Sequence, residues 1–226
     1  MIDTILFDLD ETILDRTNSL EKFIESQYLR LIYPVHKIDF DLYKERFISL
    51  DNNGYTWKDQ VYESLINEFS LFNFTVNTLL DDYLERFHES VVPMDNLYET
   101  LEILSTENIK IGIITNGKTD FQKKNIKSLN IEHYLDVIVV SDEVGFKKPQ
   151  PEIFLLALDK LNADISNTLF VGDHIVNDIK GADNIGIKTL LFDKKKENVH
   201  IHNRIENLIE IIDYVKSPMW VDIKLF

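Results

Sequence analysis

The stretch ILFDLDETILD, residues 5–15, starts as an apolar run and halts at a carboxylate. Ile5-Leu6-Phe7 has the composition of a short buried strand. Asp8 ends the run, and Asp10 follows two residues later. In extended backbone, residues two apart face the same way, so these carboxylates are neighbours. Like charges at that range raise the cost of ionising both. Either something positive stands beside them, or the two are simple turn and helix-cap residues, roles in which Asp is common.

Working outward, Thr4–Phe7 is the first of five apolar runs that read as buried parallel strands. The others are 110–114, Val137–Val140, 168–171 and Lys188–Phe192. Helical stripes lie between and after them: Leu97-Leu101-Leu104, Phe121-Ile126-Leu129, Ile153-Leu156-Leu161 and Ile205-Leu208-Ile212. This alternation predicts an α/β fold with a mostly parallel sheet. Residues 16–92 break the alternation. They read as successive helices over 19–33, 39–50, 56–69 and 77–90, with a turn at Asn52-Asn53-Gly54. The expected organisation is a core of residues 1–15 and 93–226, interrupted by a helical module over 16–92 that returns through Val91-Val92-Pro93. The Phe, Leu and Tyr stripes of that module read as packing.

Composition narrows the function. The 226 residues include 14 Phe, 9 Tyr and 2 Trp and are 44% hydrophobic, ample for a packed core. The net charge of −15 is spread along the chain. A diffuse negative field argues against a nucleic acid polymer or an anionic membrane as partner. It leaves room for a small anionic substrate, because a bound divalent cation and one lysine reverse the potential locally. There is no cysteine, which removes disulfides and thiolate metal sites. No apolar run approaches the roughly 20 residues needed to span a bilayer. Met1-Ile2-Asp3-Thr4 lacks the basic start of a signal peptide, so a cytoplasmic protein is expected.

In open α/β sheets, ligands bind beyond the carboxyl ends of the strands, so the polar residues there matter most. Asp8-Leu9-Asp10-Glu11-Thr12 follows the first run and Thr115-Asn116-Gly117 the second. Gly145-Phe146-Lys147-Lys148-Pro149 follows the third, and Gly172-Asp173-His174-Ile175-Val176-Asn177-Asp178 the fourth. Singly, each has an ordinary explanation: Asn116-Gly117 is a favoured turn pair, Lys147 and Lys148 are solvated lysines, and Asp173 caps a helix. Together they bring carboxylates, a hydroxyl and a lysine to one sheet edge.

That ordered set resembles the haloacid dehalogenase-like hydrolase superfamily, whose members are mostly phosphatases. DLDET matches its DxDx[TV] motif, and IITNG its hydroxyl after an apolar strand. KKPQPEIF matches its lysine motif, and VGDHIVND its Gly-Asp with a second acid further on. The resemblance implies a Rossmann-like three-layer core with an α-helical cap domain over 16–92. It implies Asp8 as the nucleophile, since a carboxylate attacking phosphorus splits one hard step into two. It also implies Mg²⁺, a hard ion that favours oxygen ligands, held by the Asp8 and Asp173 carboxylates and the Asp10 backbone carbonyl. The Asp10 side chain is then the general acid and base. Thr115, Asn116 and Gly117 bind phosphoryl oxygens, and Lys148 stabilises transition-state charge. Asp178 and Asn177 stand behind these groups. His174 departs from the small hydroxyl residue often found there, and a role away from the metal is expected for it. The implied partner is a small phosphorylated metabolite, and the implied assembly a monomer or homodimer.

Rivals exist within the same superfamily. Haloacid dehalogenation needs neither a proton donor for its leaving halide nor Mg²⁺, so Asp10 and Asp173 count against it. Phosphonate hydrolysis needs a Schiff-base lysine, and nothing singles out one of Lys22, Lys37, Lys44 or Lys58. The first motif does not exclude a phosphomutase. A regulatory protein that kept the fold and lost turnover is the alternative from another class, and no motif is broken in the way such loss produces. Within the phosphatase reading, ITNG and the helical module resemble a subgroup that includes nucleoside 5′-monophosphate phosphatases, and sugar phosphates are the other expected class.

Overall fold

The computed structural model describes residues 1–216; residues 217–226, counted with the core above, lie outside the described residues. The chain divides into two compact units, Met1–Asp15 with Pro93–Phe226, and Arg16–Val92. Strand β1 (Thr4–Phe7) is followed by four helices of the second unit, α1 (Arg16–Gln27), α2 (Phe40–Asp51), α3 (Lys58–Glu68) and α4 (Val76–Arg86). The first unit resumes with α5 (Leu97–Thr106), β2 (Lys110–Thr115), α6 (Thr119–Ser128), β3 (Val137–Val140), α7 (Ser141–Val144) and α8 (Pro151–Leu161). It continues through β4 (Thr168–Gly172), β5 (Lys188–Phe192) and β6 (Arg204–Ile205).

The six strands form one sheet in the order β3-β2-β1-β4-β5-β6, with every described pairing parallel. This is an α/β, Rossmann-like core. All four residues of β1 are buried, as a central strand covered on both faces requires. Leu6 and Phe170 pack in one cluster with Ile153, Phe154, Ala157 and Leu158 of α8. The Phe154 and Phe170 rings meet edge to face at 5.2 Å. On α5, the predicted stripe Leu97, Leu101 and Leu104 is buried.

The strand order places the site. From β1 the chain moves outward through β2 to β3, then crosses to β4 on the other side of β1. The carboxyl ends of β1 and β4 therefore flank the point where the direction of winding reverses, the usual ligand crevice of such sheets. The Asp8 N–H donates to the Val171 carbonyl at 2.9 Å, carrying the β1–β4 ladder one residue past the strand.

Two strands run one residue further than their apolar runs, β2 to Thr115 and β4 to Gly172. Ile205 corrects a prediction: it lies in β6, paired with Phe192, and does not begin a helical stripe. The cause is local. Asn207 and Glu210 form a reciprocal capping box, so helical structure begins at Leu208, after Ile205.

In the helical unit, the expected helix over 19–33 is α1 followed by a π turn, Tyr28–Ile32. The expected helix over 77–90 is α4 followed by a 3₁₀ turn, Phe87–Ser90. Asp39 caps α2 by accepting from the Leu42 N–H, and Thr75 caps α4 by accepting from the Thr78 N–H. Asn52 and Asn53 turn the chain at φ 47° and 54°, a region Asn tolerates better than most residues. The unit packs around aromatic rings; Phe23 meets Tyr83 at 5.2 Å and Phe47 meets Tyr62 at 5.5 Å, both edge to face. Buried polar groups are tied together: the Tyr62 hydroxyl donates to Gln27, which donates to Asp82, which pairs bidentately with Arg30. Among the described residues no helix is long and apolar enough to cross a membrane.

Candidate active site

Every residue singled out at the strand ends belongs to the first unit. Asp8, one residue past β1, is 7% exposed. Its Oδ2 accepts from the buried Thr12 hydroxyl at 3.3 Å, and its Oδ1 accepts from Lys148 Nζ. The turn between them is tight: the Ile13 and Leu14 N–H groups both donate to the Leu9 carbonyl, and Glu11 sits at φ 59°. Lys148 is 3% exposed and also lies 2.7 Å from Asp178 Oδ1. The ammonium is thus held between two carboxylates. Its neighbour Lys147 is exposed, as expected.

Asp178 reaches this position because Gly172 leaves room. A Cβ on Gly172 would stand 2.5 Å from Asp178 Oδ2, so no other residue fits there with Asp178 in place. Asp178 Oδ2 accepts from the His174 N–H at 3.0 Å. The His174 ring caps the following turn, Nδ1 accepting from the Val176 and Asn177 N–H groups at 3.1 and 3.0 Å. That hydrogen bonding accounts for His174 in a place where a short hydroxyl would cap equally well. Asn177 enters these contacts through its backbone.

Carboxylate oxygens of Asp8, Asp173 and Asp178 lie within 4.8 Å of one another. The Asp10 carboxylate is outside that group. It accepts instead from Gln122 Nε2 at 2.7 Å. Thr115, at the end of β2, is buried, and its Oγ1 accepts from the same Gln122 nitrogen at 3.0 Å. The Asn116 side chain is a staple: it accepts from the Lys148 N–H at 2.9 Å and donates to the Lys148 carbonyl at 3.0 Å. The Gly117 N–H donates to the Ser141 hydroxyl at 3.0 Å, so in this structure it is engaged within the protein.

Charge dominates the electrostatics. Burial, reinforced by the negative charges of Asp178 and Asp10 and opposed by Lys148, pushes the Asp8 carboxyl up to about 7. Burial, together with Asp8 and Asp178, pushes Asp173 up to about 8. Burial works against the Lys148 ammonium, yet Asp178 and Asp8 outweigh it and hold its pKa above the ordinary lysine value. Three clustered carboxylates share one ammonium, which is too little positive charge to keep all of them ionised.

Gln122 and Asn125 are the site residues that their sequence context conceals. Both are polar, sit on a helix that also carries one aspartate and three lysines, and are buried, at 3% and 0% exposure. Nothing in the sequence marks them; in the structure Gly117, at φ 145°, leaves the room for Gln122, since a Cβ there would stand 3.1 Å from its Cγ. An open groove of about 730 Å³ lies elsewhere, along the outer edge of β3 beside Leu135, Val137, Phe146 and Leu156. It contains none of the clustered carboxylates.

The sequence pattern of haloacid dehalogenase-like hydrolases matches residues 5–192, and the chain belongs to that family. It is a hydrolase. Among its relatives, the glyceraldehyde 3-phosphate phosphatase of Pyrococcus abyssi is 30% identical over 195 residues, 85% of this chain and 82% of that one. The pyrimidine 5′-nucleotidase YjjG of Escherichia coli is 30% identical over 194 residues, 83% of this chain and 84% of that one. The fold is similar to that of the HAD-hydrolase YfnB from Bacillus subtilis, in a form bound to magnesium. The TM-score is 0.75 and the identity 22%, covering 96% of this chain and 99% of that one.

Proposed function

We propose that the protein is a Mg²⁺-dependent phosphatase that hydrolyses a small phosphomonoester through an aspartyl phosphate on Asp8. The observation that carries this reading is the buried Asp8 carboxylate at the end of β1, with Lys148 on one oxygen and Asp173 and Asp178 close by. The donor set suits a hard divalent cation: the ligands are all oxygens, and their charge exceeds what one ammonium balances. The family resemblance implies that Asp8 and Asp173, which belong to this cluster, would hold the ion together with the Asp10 backbone carbonyl. When bound, the ion neutralises negative charge around the nucleophile and the phosphoryl group.

The protein's own groups carry the steps. The Asp8 carboxylate attacks phosphorus as the ester oxygen leaves, and Asp10 gives that oxygen its proton. Asp10, now ionised, takes a proton from water as the water attacks the phosphoaspartate; phosphate leaves and Asp8 is restored. The Thr115 hydroxyl and the Asn116 N–H bind phosphoryl oxygens, and Lys148 offsets the charge that builds on them. Asn116 holds the backbone of Lys148 in register for that role.

The helical unit is proposed as the cap domain that sets substrate choice. Named relatives act on a triose phosphate and on pyrimidine nucleotides, which supports a small phosphorylated metabolite as substrate. Dehalogenation has no use for Asp10 as a proton donor. A panel of triose, pentose and hexose phosphates and nucleoside 5′-monophosphates, with Mg²⁺ or with chelator, tests the reading. Phosphate release on some members, abolished by chelator and restored by Mg²⁺, is expected. Equal release with chelator, or none on any phosphomonoester including p-nitrophenyl phosphate, would contradict it.

A further inference from the structure

Gln122 has one amide directed at two parts of the proposed machinery. Its Nε2 lies 2.7 Å from Asp10 Oδ2, 3.0 Å from Thr115 Oγ1 and 3.2 Å from the Asn116 carbonyl. Its Oε1 accepts from Asn125 Nδ2 at 3.2 Å, and both residues are buried. That bond decides which way the amide faces. The reversed amide would set Oε1 against a carboxylate and lose the Asn125 donor. Gly117 makes the approach possible: a Cβ there would stand 3.1 Å from Gln122 Cγ and Nε2.

We infer that Gln122, locked by Asn125, is a positioning residue that fixes which oxygen of Asp10 transfers the proton and ties Asp10 to Thr115. The inference rests on the proposed roles of those two residues. With Oδ2 occupied by an amide N–H, Asp10 Oδ1 is the oxygen left for the leaving group. No hydrogen bond engages Oδ1 among the described residues. An N–H donor suits this task because Oδ2 accepts it in both states, as the carbonyl oxygen of the acid and as an oxygen of the carboxylate. The bond therefore persists through both halves of the reaction, with no change of partner when the proton moves. At Thr115 the same nitrogen occupies a lone pair of Oγ1, whose hydroxyl donates to the Asn116 carbonyl at 3.4 Å, a long bond that a phosphoryl oxygen can replace. In a buried setting such bonds hold geometry tightly, and small misplacements of reacting groups are costly in rate.

The test compares leaving groups in the full-length protein with saturating Mg²⁺. Phenyl phosphate expels a basic phenolate that needs the proton; p-nitrophenyl phosphate expels a stabilised anion that needs it far less. Gln122→Met is expected to lower kcat on phenyl phosphate by about 10–100-fold with KM within about threefold. The loss on p-nitrophenyl phosphate should be at least about fivefold smaller. The part of the effect that runs through Thr115 falls on both esters, so the difference between them isolates Asp10. Adding Gln122→Met to Asp10→Asn should cost on phenyl phosphate no more than the single Gln122→Met variant loses on p-nitrophenyl phosphate, the part that runs through Thr115, because the Asp10 part is already gone. Gln122→Glu keeps the shape but replaces the donor, and carries the same test if the Met variant fails to fold. Equal losses on the two esters, no loss, or full additivity in the double variant would overturn the inference. If Asp10→Asn alone shows no leaving-group dependence, the acid role of Asp10 falls and the inference falls with it. If Asp10→Asn shows that dependence and the Gln122 variants do not, the inference alone fails.

Discussion

At the scale of single residues, the buried carboxylates make a pH prediction with a definite sign. Burial raises Asp8 to about 7 and Asp173 to about 8, from ordinary values of 3.8. A raised native pKa means that the folded state binds protons more tightly than the unfolded chain. Stability from these groups is therefore full below about pH 4 and is lost as pH rises through 7 to 8. The chelator-treated protein should melt at progressively lower temperature between pH 5 and pH 8. Mg²⁺ should raise the melting temperature more at pH 8 than at pH 5, because at low pH it must displace protons. Calorimetric titration at pH 6 in buffers of different ionisation enthalpy should register proton release; its absence would mean the cluster is not the cation site. Some of this is written in residues 5–15 and 168–178, where Asp8 follows its apolar run directly and Asp173 follows one residue after its own. Gln122 is harder to see. A glutamine on a helix with Lys123 and Lys124 beside it looks solvated, and only its three-dimensional neighbours reveal that it is buried.

At the scale of elements, strands were legible and the irregular joins were not. Apolar runs of four or five residues between helical stripes have few other solutions in a parallel sheet, so β1, β3 and β5 fall where periodicity puts them. The π turn at Tyr28–Ile32 leaves the helical period of residues 19–33 almost unchanged, so no break shows in the pattern. Strand β6 is two residues long and takes its identity from pairing with the end of β5, a long-range contact with no local signal. The loop after β5 makes another such contact. Lys194 Nζ donates to Asp15 Oδ2 at 2.8 Å and lies 3.6 Å from Met94 Sδ. Asp15 is the last residue before the chain leaves the first unit, and Met94 is the second after it returns. The Met94 N–H donates to the Ile13 carbonyl at 3.0 Å, and the Glu11 N–H to the Leu14 carbonyl at 2.8 Å. A half-exposed ion pair contributes up to about 1 kcal/mol. Lys194→Met should therefore speed amide exchange at Glu11 and Met94 by no more than about fivefold while leaving β1 and β4 unchanged. Unchanged exchange at both amides would show that Lys194 does not brace the crossings.

At the scale of the whole molecule, a chain of net charge −15 that is proposed to take an anionic substrate depends on local reversal of its field. In the proposed mechanism Lys148 and a bound cation would provide that reversal at the end of β1. The two crossings between units, near residues 14–17 and 90–93, are the proposed hinges of the cap. Amide exchange there should slow when Mg²⁺ and orthovanadate are added together, and not with either alone. Exchange that stays the same would mean that ligation does not rearrange the crossings.

The central claim is that Asp8 carries the phosphoryl group. Rapid mixing with a radiolabelled phosphomonoester and Mg²⁺, quenched in acid within the first turnover, followed by peptide mapping, tests it most directly. Label is predicted on the peptide containing Asp8, at levels that rise and decay with turnover. The label should be missing in Asp8→Asn, which should fold normally and release no phosphate. Turnover by wild-type protein with no acid-stable label at any time, or retention of more than a few per cent of activity by pure Asp8→Asn, would contradict the account.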